Sequence, residues 1–415
     1  MIIYFSELLL SVLYMIALFY SIFWLVTLLD FEEEPRKRLE KHPIVSVIIP
    51  AYNEERNIEK AISSVLKLNY PKNRIEIIVI NDGSTDNTYR VVTDLGKKNN
   101  IQIIEQTNKG KWAALNNGMR ISNGEYIAIL DADSTIRSDA LKRMLPYFSN
   151  EKVAVVLPLL KVDKPKNMLQ RIQGYEYLIN MFYKKLTGFL DCIHVAPGPF
   201  SLYKAEALRK VGGFKAGHKT EDLEIVLRLQ RKRHKIIQTV DTEAYTDSPN
   251  NLKDLYYQRK RWNLGSILNV WDYRAMIFNR EYGDFGLFQL PIIFFAGFLA
   301  LAIIGITTFL GIIQPLFRAL SNLSLVGFDL GTFLRNYSFD FNMLDINYYG
   351  LSIAVFVMVM TAIVFVMAHR YAKERIGRYG VFSLLAFVFF YYIWLGIVWL
   401  GVTKSLIFRK EGKWQ

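Results

Sequence analysis

Two aspartates one residue apart, Asp131-Ala132-Asp133, close an apolar run at residues 126–130. Carboxylate oxygens are hard donors that suit Mg2+ or Mn2+, and such a pair at a strand end can aim one oxygen at a metal and the other at a ribose or a water. A second acidic pair, Glu221-Asp222, opens a helical pattern behind Thr220. Acidic residues are favoured in a first turn and Thr is a good cap, so this pair has a structural explanation beside the chemical one. Lys109-Gly110-Lys111 opens another helix, whose N-terminal N–H groups and positive potential can receive phosphate oxygens. On a third helical stretch Gln258, Arg261 and Trp262 stand three and four apart and share a face. A guanidinium there can pair with diphosphate oxygens, and an indole can pack on the apolar face of a sugar ring. Tyr52-Asn53-Glu54 and Asn81-Asp82-Gly83 are the remaining polar loops, and each alone reads as helix-start or turn chemistry.

A scaffold must bring these scattered residues together. From residue 44, short β-branched runs alternate with helical patterns. Strands are expected at 45–49, 75–80, 101–105, 126–130 and 153–157, and helices at 54–68, 87–98, 111–121, 167–186, 223–233 and 252–278. That alternation predicts an α/β fold with a mainly parallel sheet. Such sheets bind ligands outside the carboxyl ends of their strands, and Asp82 and Asp131 each fall just past one. Residues 196–199 read as a turn, and the chain shows no internal repeat or low-complexity tract.

Taken in order, Asn81-Asp82-Gly83-Ser84, Asp131-Ala132-Asp133, Thr220-Glu221-Asp222 and Gln258-Arg259-Lys260-Arg261-Trp262 resemble the signposts of the family-2 inverting glycosyltransferases. The resemblance covers residues 44–262 and points to the membrane-bound branch that includes cellulose, hyaluronan and poly-N-acetylglucosamine synthases. It implies a GT-A-type domain inserted between transmembrane helices, a UDP-sugar donor, and Mg2+ or Mn2+. Tyr52, Glu54 and Asp82 would hold base and ribose. Lys111, in a match to the family's Gly-Lys-x-x-Ala-Leu-Asn pattern, would join Asp131, Gln258 and Arg261 on the nucleotide sugar. Asp133 would touch the metal, and Asp222 would be the catalytic base for a single inverting displacement. Trp262, Glu221 and Gly198 fall on the acceptor side, although Gly198-Pro199-Phe200 matches the family's loop less tightly. His194 and His218 are expected to be surface or packing residues. The expected sugar is N-acetylglucosamine or glucose and the expected product a β-linked polymer. Single transfer to a lipid is the alternative, and a catalytically dead carbohydrate-binding scaffold a remote one.

The apolar residues, 52% of a 415-residue chain, are unevenly spread. Residues 2–29 carry one charge, and residues 285–313, 351–368 and 381–402 carry none. Each is long enough to cross a hydrocarbon core, which needs roughly 20 apolar residues. The expected organisation is an anchor at 1–29, a charged linker at 32–41, a cytosolic domain at 44–250, interfacial helices at 251–283, and two to three spans with a basic tail at 284–415. Residues 2–29 lack the basic start and cleavage site of a signal peptide, so they read as a retained anchor. The loop at 369–379, with four basic residues and one acid, belongs on the cytosolic side of a multi-pass cell-membrane protein. The tail at 409–414 faintly resembles a cytosolic gating segment, which leaves its side of the membrane open. The net charge of +13 suits an anionic lipid surface and a phosphorylated donor. Nucleic acid is the poorer reading of that charge and is not expected as a partner, because the basic residues scatter and no recognised module accompanies them. With Cys192 the only cysteine, no intrachain disulfide or cysteine-zinc cluster can form. Three or four spans leave little protein to line a channel, so polymer export would require a homo-oligomer or an export partner.

Overall fold

The structure, a computed structural model, describes residues 42–325, 348–374 and 380–408, with scattered positions between 11 and 27 and between 327 and 331. The expected linker at 32–41, the end of the basic loop at 375–379 and the tail at 409–414 lie outside the described residues, as does most of the expected anchor. The chain divides into two compact units. One comprises Asp30–Phe294 with Met367–Ser383, and the other comprises Met1–Leu29, Phe295–Val366 and Leu384–Gln415.

The first unit is built on eight strands: β1 (Val45–Ala51), β2 (Ile75–Asp82), β3 (Ile101–Gln106), β4 (Tyr126–Ile129), β5 (Ser134–Ile136), β6 (Val153–Val162), β7 (Ser201–Lys204) and β8 (Lys235–Thr246). They form one sheet in the order β3-β2-β1-β4-β7-β6-β8-β5. β3, β2, β1 and β4 run parallel, as do β6 and β8; β7 is antiparallel to both its neighbours and β5 antiparallel to β8. The sheet is thus mixed but mostly parallel. Its helices are α1 (Ile58–Leu66), α2 (Thr88–Gly96), α3 (Lys111–Ile121), α4 (Ala140–Met144), α5 (Met168–Phe189), α6 (Ala205–Lys210), α7 (Glu221–Arg231) and α8 (Leu252–Asp272).

The period of two along β1 explains why helices cover both faces. Val45, Val47 and Ile49 join Ile58, Ala61, Ile62 and Val65 of α1 in one core. Ile48 points the other way and meets Ala114 and Leu115 of α3, with Ile225, Val226 and Leu229 of α7 in the same cluster. Full burial of such a side chain contributes about 1.5–3 kcal/mol, so these faces fix where α3 and α7 begin. α3 lies especially close to β1: a Cβ on Gly118 would sit 2.6 Å from Ile48 Cγ2.

α5 and α8 are each capped by an asparagine. Asn167 Oδ1 accepts from Gln170 N, and Asn251 Oδ1 from Asp254 N. The helix expected to run to 278 ends at Asp272 and gives way to short 3-10 turns at Arg274–Met276 and Arg280–Tyr282. A late stretch of chain completes this unit. Ala372 is buried in the larger core, Tyr371 lies 5.7 Å from Phe182 and His369 5.6 Å from Tyr175 between ring centroids. Lys161 Nζ, at the far end of β6, donates to Glu243 (2.9 Å), Glu374 (2.7 Å) and the Ala372 carbonyl (3.3 Å).

Among the described residues two helices are long and apolar enough to cross a membrane, Phe285–Leu325 with mean hydropathy 2.5 and Leu385–Phe408 with 2.1; Met358–Tyr371 is a shorter apolar helix. Within the second unit, Gly297 lets one helix lie against the Trp399 indole, where a Cβ would fall 1.7 Å from a ring carbon.

Candidate active site

The site lies where the sheet geometry puts it, beyond the carboxyl ends of β1, β2 and β4. Asp82 is the last residue of β2 and is buried. Its carboxylate accepts hydrogen bonds from Gln106 Nε2 (2.7 Å), Lys109 N (3.0 Å) and Gly110 N (2.9 Å). In this state Asp82 therefore holds the loop that leads into α3. Gly83 and Gly110 serve the same turn, with φ of +71° and +91°, values that L side chains rarely adopt. Tyr52 is exposed above this loop region, and the 52–57 and 83–88 loops latch together through Asp86, Glu55 and Asn53.

Starting α3 at this point puts Lys111 in the middle of the acidic residues. Its Nζ lies 2.6 Å from Asp131 Oδ1 and 3.2 Å from Glu221 Oε1. Burial works to lower the Lys111 pKa, but Asp131, Glu221 and Asp222 outweigh it and hold the ammonium charged. Lys109 is exposed and contributes its backbone instead. Behind Asp131 the 196–200 turn closes in: a Cβ on Gly198 would fall 2.1 Å from Asp131 Oδ2. Asp133 is pushed up to about 7, first by burial and then by the Asp131 charge, although Ser134 Oγ donates to it at 2.7 Å. Glu54 is raised as well, by burial and by the charges of Asp247, Asp131 and Asp86, against a hydrogen bond from Asn57.

The Thr220 hydroxyl does not cap α7. It is buried and accepts instead from Asn269 Nδ2 of α8 (2.8 Å), which also reaches the Thr220 carbonyl. Gly265 permits this approach, since a Cβ there would lie 2.7 Å from Thr220 Oγ1. One turn on, Glu224 is fully buried against Arg228, with hydrogen bonds at 2.8, 3.1 and 2.6 Å, and receives the Tyr273 hydroxyl. Arg228 also donates to the carbonyls of Val211 and Gly213. These ties fix the helix start that carries Glu221 and Asp222. Asp222 is pushed up to about 6, first by burial and then by Glu221, with Lys111 and Arg261 pulling it down.

On α8, Arg261 is exposed and its Nη1 lies 3.4 Å from the Lys219 carbonyl. Gln258 accepts from Arg259 Nη1, and the Arg259 guanidinium stacks on the Trp262 ring at 4.3 Å. Arg259 itself is buried and paired with Glu176 of α5 (Nε–Oε1 3.0 Å, Nη2–Oε2 2.5 Å). One face of the expected aromatic platform is therefore covered by an arginine. Further round α5, Lys184 is buried and pulled down to about 8, with Asp222 opposing. His194 is held neutral, down to about 3, by burial and the Lys184 charge, and pairs with Gln289.

Thus Lys111, Asp131, Glu221 and Gly198 meet directly. Asp133, Glu54 and Asp222 lie within their electrostatic reach, whereas Asp82 is turned inward. Asp247, Glu176 and Lys184 also belong to the neighbourhood and carried no motif signal, and Arg259 fills an unassigned position of the Gln258–Trp262 motif. Among the described residues no three His, Cys, Asp or Glu side chains gather into a metal site. Mg2+ is usually held by one or two carboxylates together with substrate phosphates, so the Asp131-Asp133 pair fits an ion bound along with a diphosphate.

Residues 46–212 match the family model "Glycosyl transferase family 2". A poly-beta-1,6-N-acetyl-D-glucosamine synthase of Staphylococcus epidermidis is 32% identical over 261 residues, 60% of this chain and 63% of that protein. The Staphylococcus aureus (strain COL) protein of the same name is 31% identical over the same shares. The matched region thus spans less than two thirds of these relatives. Among solved structures, a mannosyltransferase from Pyrobaculum calidifontis, in complex with GDP-Man and Mn2+, superposes with a TM-score of 0.63 at 17% identity, covering 98% of this chain and 99% of its own. That likeness establishes the fold.

Proposed function

We infer that this chain, of which residues 46–212 are a family-2 glycosyltransferase domain, is a membrane-embedded inverting glycosyltransferase that extends a β-linked polysaccharide from a UDP-sugar on the cytosolic face of the cell membrane. The observation that carries the reading is the placement of Lys111 between Asp131 and Glu221. It joins the carboxylate pair suited to a metal–diphosphate to the helix start that bears Asp222. UDP-GlcNAc is the donor we favour, because the synthases of 31–32% identity are named for a poly-N-acetylglucosamine product.

In the proposed reaction an acceptor hydroxyl gives its proton to Asp222 while its oxygen bonds to the anomeric carbon. The bond from that carbon to the diphosphate oxygen breaks in the same step, which inverts an α-linked donor to a β-linkage. The raised Asp222 pKa, about 6, keeps the residue ionised near neutrality yet basic enough to take a proton. Lys111 and Arg261 supply positive charge where the diphosphate departs. A divalent ion, held by Asp133 with Asp131 beside it, would neutralise the leaving diphosphate. Mn2+ in the Pyrobaculum enzyme complex supports a metal of this kind.

The test is purified protein in lipid given UDP-GlcNAc or UDP-glucose with Mn2+. A ladder of products sensitive to a matching β-glycosidase is expected. A single glycolipid would replace polymerisation by one transfer, and no UDP release from any sugar nucleotide would refute catalysis.

A further inference from the structure

We propose that Glu176 and Arg259 are positioning residues that aim Trp262 at the acceptor and Gln258 at the sugar of the donor, without touching the reacting atoms themselves. The inference rests on Trp262 being the acceptor platform and adds the group that sets the ring's orientation. Glu176 lies on α5 and Arg259 on α8, 83 positions later. Their two hydrogen bonds engage Nε and Nη2, so the carboxylate fixes the guanidinium plane as well as its place. The other groups of that same plane meet the motif: Nη1 donates to Gln258 Oε1, and the face lies 4.3 Å from the centre of the Trp262 ring. One planar cation therefore contacts both Gln258 and Trp262 at once.

Arg259 is 5% exposed, so its charge is not held by water. A buried cation whose partner is removed must find another arrangement, because leaving it unpaired is costly. Without Glu176 the two hydrogen bonds that fix the guanidinium plane from α5 are lost, and Gln258 and Trp262 lose that support. Trp262 is only partly buried against the core. Lys111 holds Asp131 and Glu221 from α3, so the diphosphate end of the donor keeps its own charges.

A simple strut between α5 and α8 predicts something different. Its loss would weaken every step together, whereas a positioning role separates acceptor use from UDP binding. The experiment compares full-length protein in lipid with E176Q, R259M and the double variant. Three quantities are measured: UDP affinity in Mn2+, the turnover and acceptor KM of transfer, and the share of donor lost to water. We expect UDP affinity within about twofold of the unsubstituted protein, transfer slower by about tenfold or more, and a raised hydrolysis share, since a small misplacement of the acceptor suffices for this. The double variant should be no worse than about twofold beyond the poorer single one, because the two residues act as one unit. Unchanged turnover in folded E176Q overturns the proposal, as does a loss of UDP affinity in step with turnover, or two single losses that multiply. If E176Q does not fold, R259K carries the same test, since it keeps the charge but not the fork. Absence of transfer by the unsubstituted protein would sink the transferase reading first, visibly and before any variant is made, and this inference with it.

Discussion

Substituting Gly198 by Ala probes the contact between the 196–200 turn and the aspartate pair. Gly198 is not among the residues with positive φ, so an Ala there brings no backbone strain of its own and the effect is steric. The new Cβ would stand 2.1 Å from Asp131 Oδ2 and 2.3 Å from Oδ1, where ordinary contact begins at 3.4 Å. Either the turn or the carboxylate must retreat by about 1 Å, and a displacement of that size at a reacting centre costs about 100-fold in rate. The Asp131 side chain is a quarter exposed and short, so it is the group that yields, taking the 2.6 Å contact with Lys111 along. The expected result is transfer slower by about 100-fold, equivalent to about 2.7 kcal/mol at the transition state. The overpacking itself costs about 1–3 kcal/mol of stability, which a thermal melt will register separately. UDP release from the donor in Mn2+, measured beside UDP affinity, is the assay. Transfer within about threefold of the unsubstituted protein would refute the apposition of Gly198 and Asp131 and the reasoning built on it.

Asp222→Asn should leave UDP affinity intact and slow transfer by about 10²–10⁴-fold, the usual contribution of a positioned base; near-normal turnover would remove Asp222 from that role. The raised Asp222 pKa sets the sign of the pH dependence. Protonation removes the base, so kcat/KM should fall about tenfold per pH unit below about 6 and level off above it, and a rate unchanged from pH 5 to 8 would contradict this. Asp133→Ala should abolish the Mn2+ dependence of UDP binding, measured by titration calorimetry with and without the ion; an unaltered dependence would place the metal elsewhere. Glu224→Ala leaves the buried Arg228 charge without its carboxylate and should cost about 3–5 kcal/mol in unfolding, read from a denaturant midpoint, whereas a loss under about 1 kcal/mol would mean the network is relieved by water.

The parallel half of the sheet was readable because its strands are runs of Val and Ile between helical patterns, and the start of α3 at Lys111 fell where expected. β8 was not readable, although it is 12 residues long. Its buried positions include Gln238, Thr239, Thr242 and Thr246, so the apolar alternation that marks a strand is missing, and with the strand went Asp247 at its end. β5 and β7 are three and four residues long and sit beside motif loops, too short for any periodicity to show. The motif residues themselves were legible, but their partners were not. Asp82 looked available for a nucleoside and is turned onto backbone N–H groups of residues 109 and 110. Glu176 gave no signal, since its meaning depends on a residue 83 positions away. The Thr220 hydroxyl, a cap by sequence, is diverted to Asn269 because α8 approaches closely through Gly265.

The stretch at 369–374 bears on when this protein becomes whole. Ala372 completes a core begun at Val45, and Lys161 waits for Glu374, 213 residues later. Between the end of the sheet domain and this stretch the ribosome must add the apolar helix at Phe285–Leu325 and a further helix, Tyr348–Tyr371. At about 5–20 residues per second, that interval lasts on the order of ten seconds. Throughout it α5 leaves Tyr175 and Phe182 without His369 and Tyr371. The nascent domain therefore reaches its final form only after both of those helices have been synthesised, when Tyr175 and Phe182 of α5 gain His369 and Tyr371.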